Sequence, residues 1–368
     1  MLFFAGQVLK SCYKHTLLIM TLTRYEPLSM HNSTLNPEIS CIVCHHKGDF
    51  IHKFVKSVRD SIGVTYEIIV ITSDDELASN GIKGCYVFYC DGGPAEKRNV
   101  GSRVAKADYL AFFDDDVEVY YHVLRRLVRD LDSGKGMIYG KLHNAEYTDR
   151  FDEAGGYLTR TGFIWSRAGQ NDKDIGQYNL PERILSGKSA LCAIRRNLFN
   201  KVGGFDEDFW ILGEETDLAW RVWLANEEVW FSPDITGIHY FNTKWKPANE
   251  YYTSKRVQFN GCRNYITMLI KNLEAKNLWK ILPIHVLIWF TVSIAMLLSG
   301  KMMQGINILK GLGYVVVHLK QILKKRSIVQ LARQCTDEDI FPHIYRVSPP
   351  KGYYWNRVTR YLRIGLHG

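Results

Sequence analysis

Ala107-Asp-Tyr-Leu-Ala-Phe-Phe-Asp-Asp-Asp116 sets an apolar run directly against an acidic triplet. Tyr109–Phe113 is a short apolar run suited to a buried strand, and it runs directly into three aspartates. Adjacent carboxylates repel one another, so their placement calls for a compensating cation. In extended backbone the alternate residues Asp114 and Asp116 project to one side. Mg²⁺ and Mn²⁺ suit such a pair, because these hard ions take one or two protein carboxylates and fill the rest of their shell with water and phosphate oxygen. An acidic triplet in a loop is usually a solvated turn; at the end of a buried strand it is a candidate site.

Working upstream, Ile39–Cys44 and Tyr66–Thr72 read as buried strands and Gly84–Tyr89 as a third. Asp49–Ser61 and Pro94–Lys106 read as helices between them. This alternation predicts an α/β fold with a mostly parallel sheet covered by helices on both faces. Ligands of such sheets sit at the carboxyl ends of the strands. Asp74, Asp91 and Asp114–Asp116 all fall at or just beyond such ends, which implies an open nucleotide-type cleft.

Three further segments carry chemistry. Gly92-Gly-Pro-Ala-Glu-Lys-Arg-Asn-Val-Gly opens a helix bearing Lys97, Arg98 and Asn99; Arg98 can fork onto phosphate oxygens, or the helix is simply a solvated basic face. Gly213-Glu-Glu-Thr-Asp-Leu-Ala-Trp-Arg starts a helix on which Glu214 or Glu215 could take a proton from a hydroxyl. Asp217 reads there as a capping charge for the helix start. His239 closes the run Val229-Trp-Phe-Ser-Pro-Asp-Ile-Thr-Gly-Ile-His and is a metal-ligand candidate, although a lone histidine is more often structural.

The 368 residues, 46% hydrophobic with 10 Pro, exclude a disordered or collagen-like chain and allow one large domain or two. The net charge of +9 hides a split, −6 over residues 1–239 and +15 over 240–368. A basic C-terminal part suggests a polyanionic surface. Eight scattered cysteines read as reduced thiols, not as a disulfide framework. Cys41-Ile-Val-Cys44-His45 has haem-attachment spacing, but a strand would turn the two thiols to opposite faces. Asn32-Ser-Thr is a glycosylation sequon without other signs of a lumenal setting. Residues 1–38 are poorly patterned and carry no targeting signal, and Met20 or Met30 could be the true start. Ile281–Ser299 holds no formal charge and reaches the lower range for a membrane span; Ile306–Leu319 is a second apolar stretch. Lysines flank both, which favours a transmembrane hairpin or a pair of in-plane helices on the cytoplasmic face. A nucleic-acid partner is not expected, because the basic residues border apolar segments and the globular part is acidic.

Taken in order, these segments resemble the family-2 glycosyltransferases of GT-A fold, with a tail similar to rhamnosyltransferase-like members. The resemblance rests on Arg98-Asn-Val-Gly101, Ala107–Asp116, Val202-Gly-Gly-Phe-Asp-Glu, Gly213–Arg221, Ser232-Pro-Asp to His239, and Arg263-Asn-Tyr. It implies a glycosyltransferase domain over 39–246, a membrane-associated helical region over 247–330 and a basic aromatic tail over 331–368. It implies inverting transfer of a sugar from a nucleotide-diphosphate donor to a glycan or lipid-linked acceptor, in cell-surface polysaccharide or glycolipid synthesis. Asp116 and His239 would hold Mg²⁺ or Mn²⁺, with Asp114 and Asp115 at the donor nucleotide beside Lys97 and Arg98. Asp74 would read the nucleobase, since Thr72-Ser-Asp74-Asp75 stands where the family's second strand ends in an aspartate. Glu215 would be the base at a position where the family usually has Asp, or Glu214 would serve instead. A nucleotidyltransferase making a nucleotide sugar and a non-catalytic, membrane-bound sugar-binding protein are the alternatives.

Overall fold

The computed structural model describes residues 36–168, 172–240 and 255–346. The N-terminal stretch with Cys12 and the Asn32 sequon, the segment holding Pro247 and Tyr251, and the tail from 347 onward lie outside the described residues.

The chain starts with β1 (Ile39–His45), α1 (Phe50–Arg59), β2 (Tyr66–Thr72), α2 (Asp75–Asn80), β3 (Tyr86–Tyr89), α3 (Pro94–Val104) and β4 (Tyr109–Asp114). It continues through β5 (Val117–Val119), α4 (Val123–Asp132), β6 (Met137–Asn144), β7 (Phe151–Glu153), β8 (Gly156–Thr159) and β9 (Ile164–Ser166). Then come β10 (Glu182–Arg183), β11 (Leu191–Arg195), α5 (Arg196–Lys201), a 3-10 turn (Glu207–Phe209), α6 (Glu214–Leu224) and β12 (Val229–His239). The C-terminal part is helical: α7 (Lys255–Asn272), α8 (Ala275–Leu298), α9 (Met302–Val317), α10 (Leu319–Ala332) and α11 (Asp337–Ile344), with the short β13 (Tyr345–Arg346).

The main sheet has the order β10-β12-β6-β11-β4-β1-β2-β3. β1 to β4 run parallel, as expected, and β11 is inserted antiparallel between β4 and β6. Strand alternation divides the core. Cys41, Val43, Ala111 and Phe113 pack under α1 and α4, whereas Ile42, Ile71, Leu110 and Phe112 pack against α3, α5 and α6. The same alternation sends Cys41 into one core while the Cys44 thiol reaches the Pro94 carbonyl on the other side, so the two are not a paired haem attachment. The seven described cysteines are all free thiols.

The core on the α6 side extends into the C-terminal helices through Met268, Leu269, Ile281 and Ile340. α3 lies close over β1, where a Cβ on Gly101 would sit 2.3 Å from Ile42 Cγ2. Alanine gains about 1 kcal/mol over glycine in a helix interior. Overpacking of a tight core costs about 1–3 kcal/mol, and that overlap should win. Gly101→Ala is therefore expected to lower the urea midpoint. An unchanged or raised midpoint would show that α3 can lift off β1 freely.

Candidate functional site

Two strand ends and one register build the acidic corner. Cys44 of β1 pairs with Asp114, the last residue of β4. β12 then crosses back antiparallel to β5 with His239 opposite Val117, and the Tyr240 amide donates to the Asp116 carbonyl at 2.8 Å. A register shift between Ser232 and Thr236 gives β12 the bend this needs. Gly237 sits at the crossing, where a Cβ would come within 3.1 Å of the Glu118 carbonyl oxygen. The result gathers ligand atoms of Asp114, Asp116 and His239 within 4.8 Å of one another.

The electrostatics of the corner are those of a cation site. His239 Nε2 faces Asp116 Oδ1 at 3.3 Å, and Nδ1 is 2.7 Å from Asp152 Oδ2. Lys188 also meets Asp152, at 2.7 Å. Burial works against the imidazolium, but Asp152 and Asp116 outweigh it and lift the His239 pKa to about 10. A histidine oriented through one ring nitrogen by a carboxylate is the arrangement metal-binding histidines use. Two carboxylates and an imidazole fit Mg²⁺ or Mn²⁺, with positions left for water and phosphate. Asp114, Asp116 and His239 are thus a candidate metal site.

Arg98 joins this corner to the helix behind it. Its Nη2 bonds Asp114 Oδ1 at 2.9 Å and its Nη1 bonds Glu214 Oε1 at 3.0 Å. Arg98 and Lys97, expected at donor phosphates, are both buried and bonded internally. Lys97 Nζ reaches the His45 carbonyl at 2.6 Å and Ser73 Oγ at 3.0 Å, and burial lowers its pKa. Asp115 is buried with His45 Nε2 at 3.8 Å. Asp74 caps α2, where the Leu77 and Glu76 amides hold its carboxyl below the usual value. Glu215 is half-buried at the start of α6. Desolvation and then neighbouring Glu214 push its carboxyl well above the usual range.

Sequence reasoning missed the frame around Glu214 and Glu215. Trp210 and Leu212 have left-handed φ values of 55° and 73°, and Gly213 follows at 88°. Non-glycine residues there are strained. Asn264 of α7 clamps the turn, its Nδ2 lying 2.9 Å from the carbonyls of Phe209 and Ile211 and 2.7 Å from that of Leu212. Asn99 fastens the start of the same loop, bonding the Phe205 carbonyl and amide and Glu207 Oε1. Asp217 corrects the capping expectation. It is fully buried and bonds Arg221, Lys271 and Asn272, and so it ties α6 to α7. Lys271 and Lys325 also hold Asp206. Asp152 gave no signal because β7 is only three residues long and carries no motif spacing. Asn264 was visible only as part of Arg263-Asn-Tyr.

Residues 40–203 match the family model described as Glycosyl transferase family 2. These residues belong to that family. They form a glycosyltransferase domain. The structure of GalNAc-T7 with UDP, GalNAc and Mn²⁺ superposes with a TM-score of 0.54 at 16% identity, covering 88% of this chain and 58% of that one. That likeness shows a GT-A-like fold. S. aureus TarS gives a TM-score of 0.49 at 14% identity, over 80% of this chain and 52% of that one. Among curated proteins, "Inactive polypeptide N-acetylgalactosaminyltransferase-like protein 5" of Macaca fascicularis is 23% identical over 235 residues, 56% of this chain and 52% of that protein. The chain therefore spans about half the length of the curated relative it matches.

The buried ion cluster generates a stability prediction. Burial raises the pKa of Asp206 and Asp217, but Lys271, helped by Lys325 at Asp206 and by Arg221 at Asp217, outweighs it and holds both below the usual carboxylate range. Lys271→Met should cost about 2–3 kcal/mol near neutrality, less than the 3–5 typical of a broken buried pair because Arg221 and Lys325 remain. Depressed carboxylates stabilise above their unfolded pKa of about 4 and lose that contribution as pH falls. The gap between variant and wild type should therefore narrow under acid. A gap unchanged at low pH would assign the loss to packing of the lysine stem.

Proposed function

We propose that this chain is an inverting, metal-dependent glycosyltransferase that moves a sugar from a nucleotide-diphosphate donor to a hydroxyl of a glycan or lipid-linked acceptor. Its setting is cell-surface polysaccharide or glycolipid synthesis at the cytoplasmic face of a membrane. The observation that carries the reading is the convergence of Asp114, Asp116 and His239 at the end of β4, with Arg98 linking Asp114 to Glu214.

Asp116 and His239 would hold Mg²⁺ or Mn²⁺, with Asp114 completing the set at the donor side. A divalent cation bound there would offset the negative charge that develops on the departing diphosphate. Asp74 and Asp115 remain the candidates for the donor nucleoside. Lys97 and Arg98 act on the donor indirectly, by fixing the strand end after β1 and the carboxylates of Asp114 and Glu214.

Glu215 is the base. A carboxylate whose pKa is raised by burial and by neighbouring Glu214 is, when ionised, a stronger base toward a hydroxyl than an ordinary glutamate. The acceptor oxygen, losing its proton to Glu215, attacks the anomeric carbon from the side opposite the diphosphate. The bond from that carbon to the diphosphate oxygen breaks, the electron pair leaves with the diphosphate, and the configuration inverts. Glu214, held by Arg98, orients the start of the helix that presents Glu215.

Asp116→Ala should abolish the Mn²⁺-dependent part of donor binding, measured by titration calorimetry with a panel of nucleotide sugars. Equal donor affinity with and without Mn²⁺ in the wild type would remove the metal from the scheme. Glu215→Gln should retain donor binding and lose transfer by about 10²–10⁴-fold, the usual contribution of general base catalysis. Activity that survives there and disappears in Glu214→Gln would move the base by one residue. Donor binding without hydrolysis or transfer under any condition would favour the non-catalytic sugar-binding alternative.

A further inference from the structure

Helix α8 is patterned inside out. Its buried stripe, Asn277, Ile281, His285, Trp289, Ser293 and Met296, carries four polar side chains, and each of these has a partner within the protein. His285 Nδ1 is 2.7 Å from the Thr161 carbonyl, Trp289 donates to His285 Nε2 at 2.9 Å, and Ser293 donates to the Gly305 carbonyl at 2.8 Å. Asn277 donates to Asp337 at 2.9 Å. The outward residues are large and apolar: Trp279 is 80% exposed, Leu287 63% and Leu298 85%, with Ile284 and Phe290 between them. Val316 and Val317 at the end of α9 are likewise exposed. A soluble helix places these two classes the other way round.

We propose that this face is the docking surface for an anionic lipid bilayer, and that α8 lies in the plane of one leaflet without crossing it. The inference rests on the membrane-facing reading above and commits it to a geometry. Charge complementarity selects the partner. No Asp or Glu occurs from Ala275 to Thr336, a stretch containing nine lysines and arginines. Of these, Lys276, Lys280, Lys310, Lys320 and Lys324 are exposed, and Lys276 pairs with Glu338 of α11 at 2.6 Å. An exposed apolar face bordered by lysines, on helices that carry no acid themselves, is what interfacial helices present to anionic headgroups.

Length alone allows a crossing, since Ala275–Leu298 is 24 residues of high hydropathy. Packing argues against it. The middle of the helix is covered by the β8–β9 turn. Phe163 packs against His285 with ring centroids 4.2 Å apart and approaches Trp289 at 5.6 Å. A spanning α8 would carry this turn, with exposed Arg160 beside Thr161, to the centre of the hydrocarbon, where an arginine is strongly disfavoured. Lying flat leaves the turn and the catalytic domain on the water side.

The test uses the full-length protein with sealed vesicles. Flotation should be strong with mixed phosphatidylcholine–phosphatidylglycerol vesicles, weak with phosphatidylcholine alone, and reduced by salt. Leu287→Glu with Phe290→Glu should lower the bound fraction about tenfold or more. Lys280→Cys and Ser299→Cys, at opposite ends of α8, should both react with a membrane-impermeant maleimide added outside, above the wild-type background. Reaction at one end only would mean that the helix crosses, and the in-plane geometry would fall. Failure to float with either vesicle would overturn the lipid partner, and self-association of lipid-free protein in sedimentation would then assign the face to a second copy. Donor hydrolysis without vesicles separates the two readings: hydrolysis without flotation sinks only the lipid face, and flotation without hydrolysis sinks only the transferase.

Discussion

Arg98 sits between Asp114 and Glu214, and the site depends on that one buried guanidinium. Five carboxylates, Asp114 to Asp116 with Glu214 and Glu215, come from two ends of the chain's fold. Unscreened, they would drive β4 and α6 apart. Arginine suits the position because its planar fork presents donors in two directions and never loses its charge. Its placement is set by α3, whose approach to β1 at Gly101 determines how far the side chain must reach. A packing constraint in the core thus fixes the distance between the end of β4 and the start of α6.

A second ionic centre does the same for the other side of α6. Asp217 and Asp206 are satisfied by Lys271 and Lys325, which belong to α7 and α10. Asn264 of α7 holds three carbonyls of the strained turn before Glu214. Strain of this kind persists only where the surroundings over-determine it, and here the surroundings are C-terminal helices. The start of α6 is therefore held from two sides, by Arg98 of α3 and by polar groups from the helical region.

The parallel half of the fold was legible because its physics is local. Tyr66–Thr72 has the bounds expected of it, since short β-branched and aromatic runs between turn signals are self-declaring. His239 could be named as a candidate, yet what brings it to Asp116 is the register of β12 on β5 and a bend near Ser232, which no periodicity records. β7 to β10 are strands of two to four residues, too short to show an alternation. Asp217 misled because an acidic residue near a helix start is usually a cap; two of its three partners lie 54 and 55 residues away in sequence. Arg98 was legible as a residue of the site and not as a bridge. A motif gives side-chain identity, while the bond partner is decided by tertiary packing.

The charge split of the sequence, −6 before residue 240 and +15 after it, has two destinations that composition cannot separate. Lys271 and Lys325 turn inward to carboxylates, Arg326 bonds the carbonyls of Ile270 and Leu273, and Arg333 bonds Asp337. Lys280, Lys310, Lys320 and Lys324 turn outward beside the apolar face. An anchor alone would need only the second group. Because the same helices carry both, the segment that presents an apolar face also supplies the clamp on the turn before Glu214. Any account of this region as an appended tail has to explain why buried ion pairs run from it into the helix that bears the proposed base. Reading it as part of the catalytic frame makes the inward charges necessary and leaves the outward ones for the bilayer.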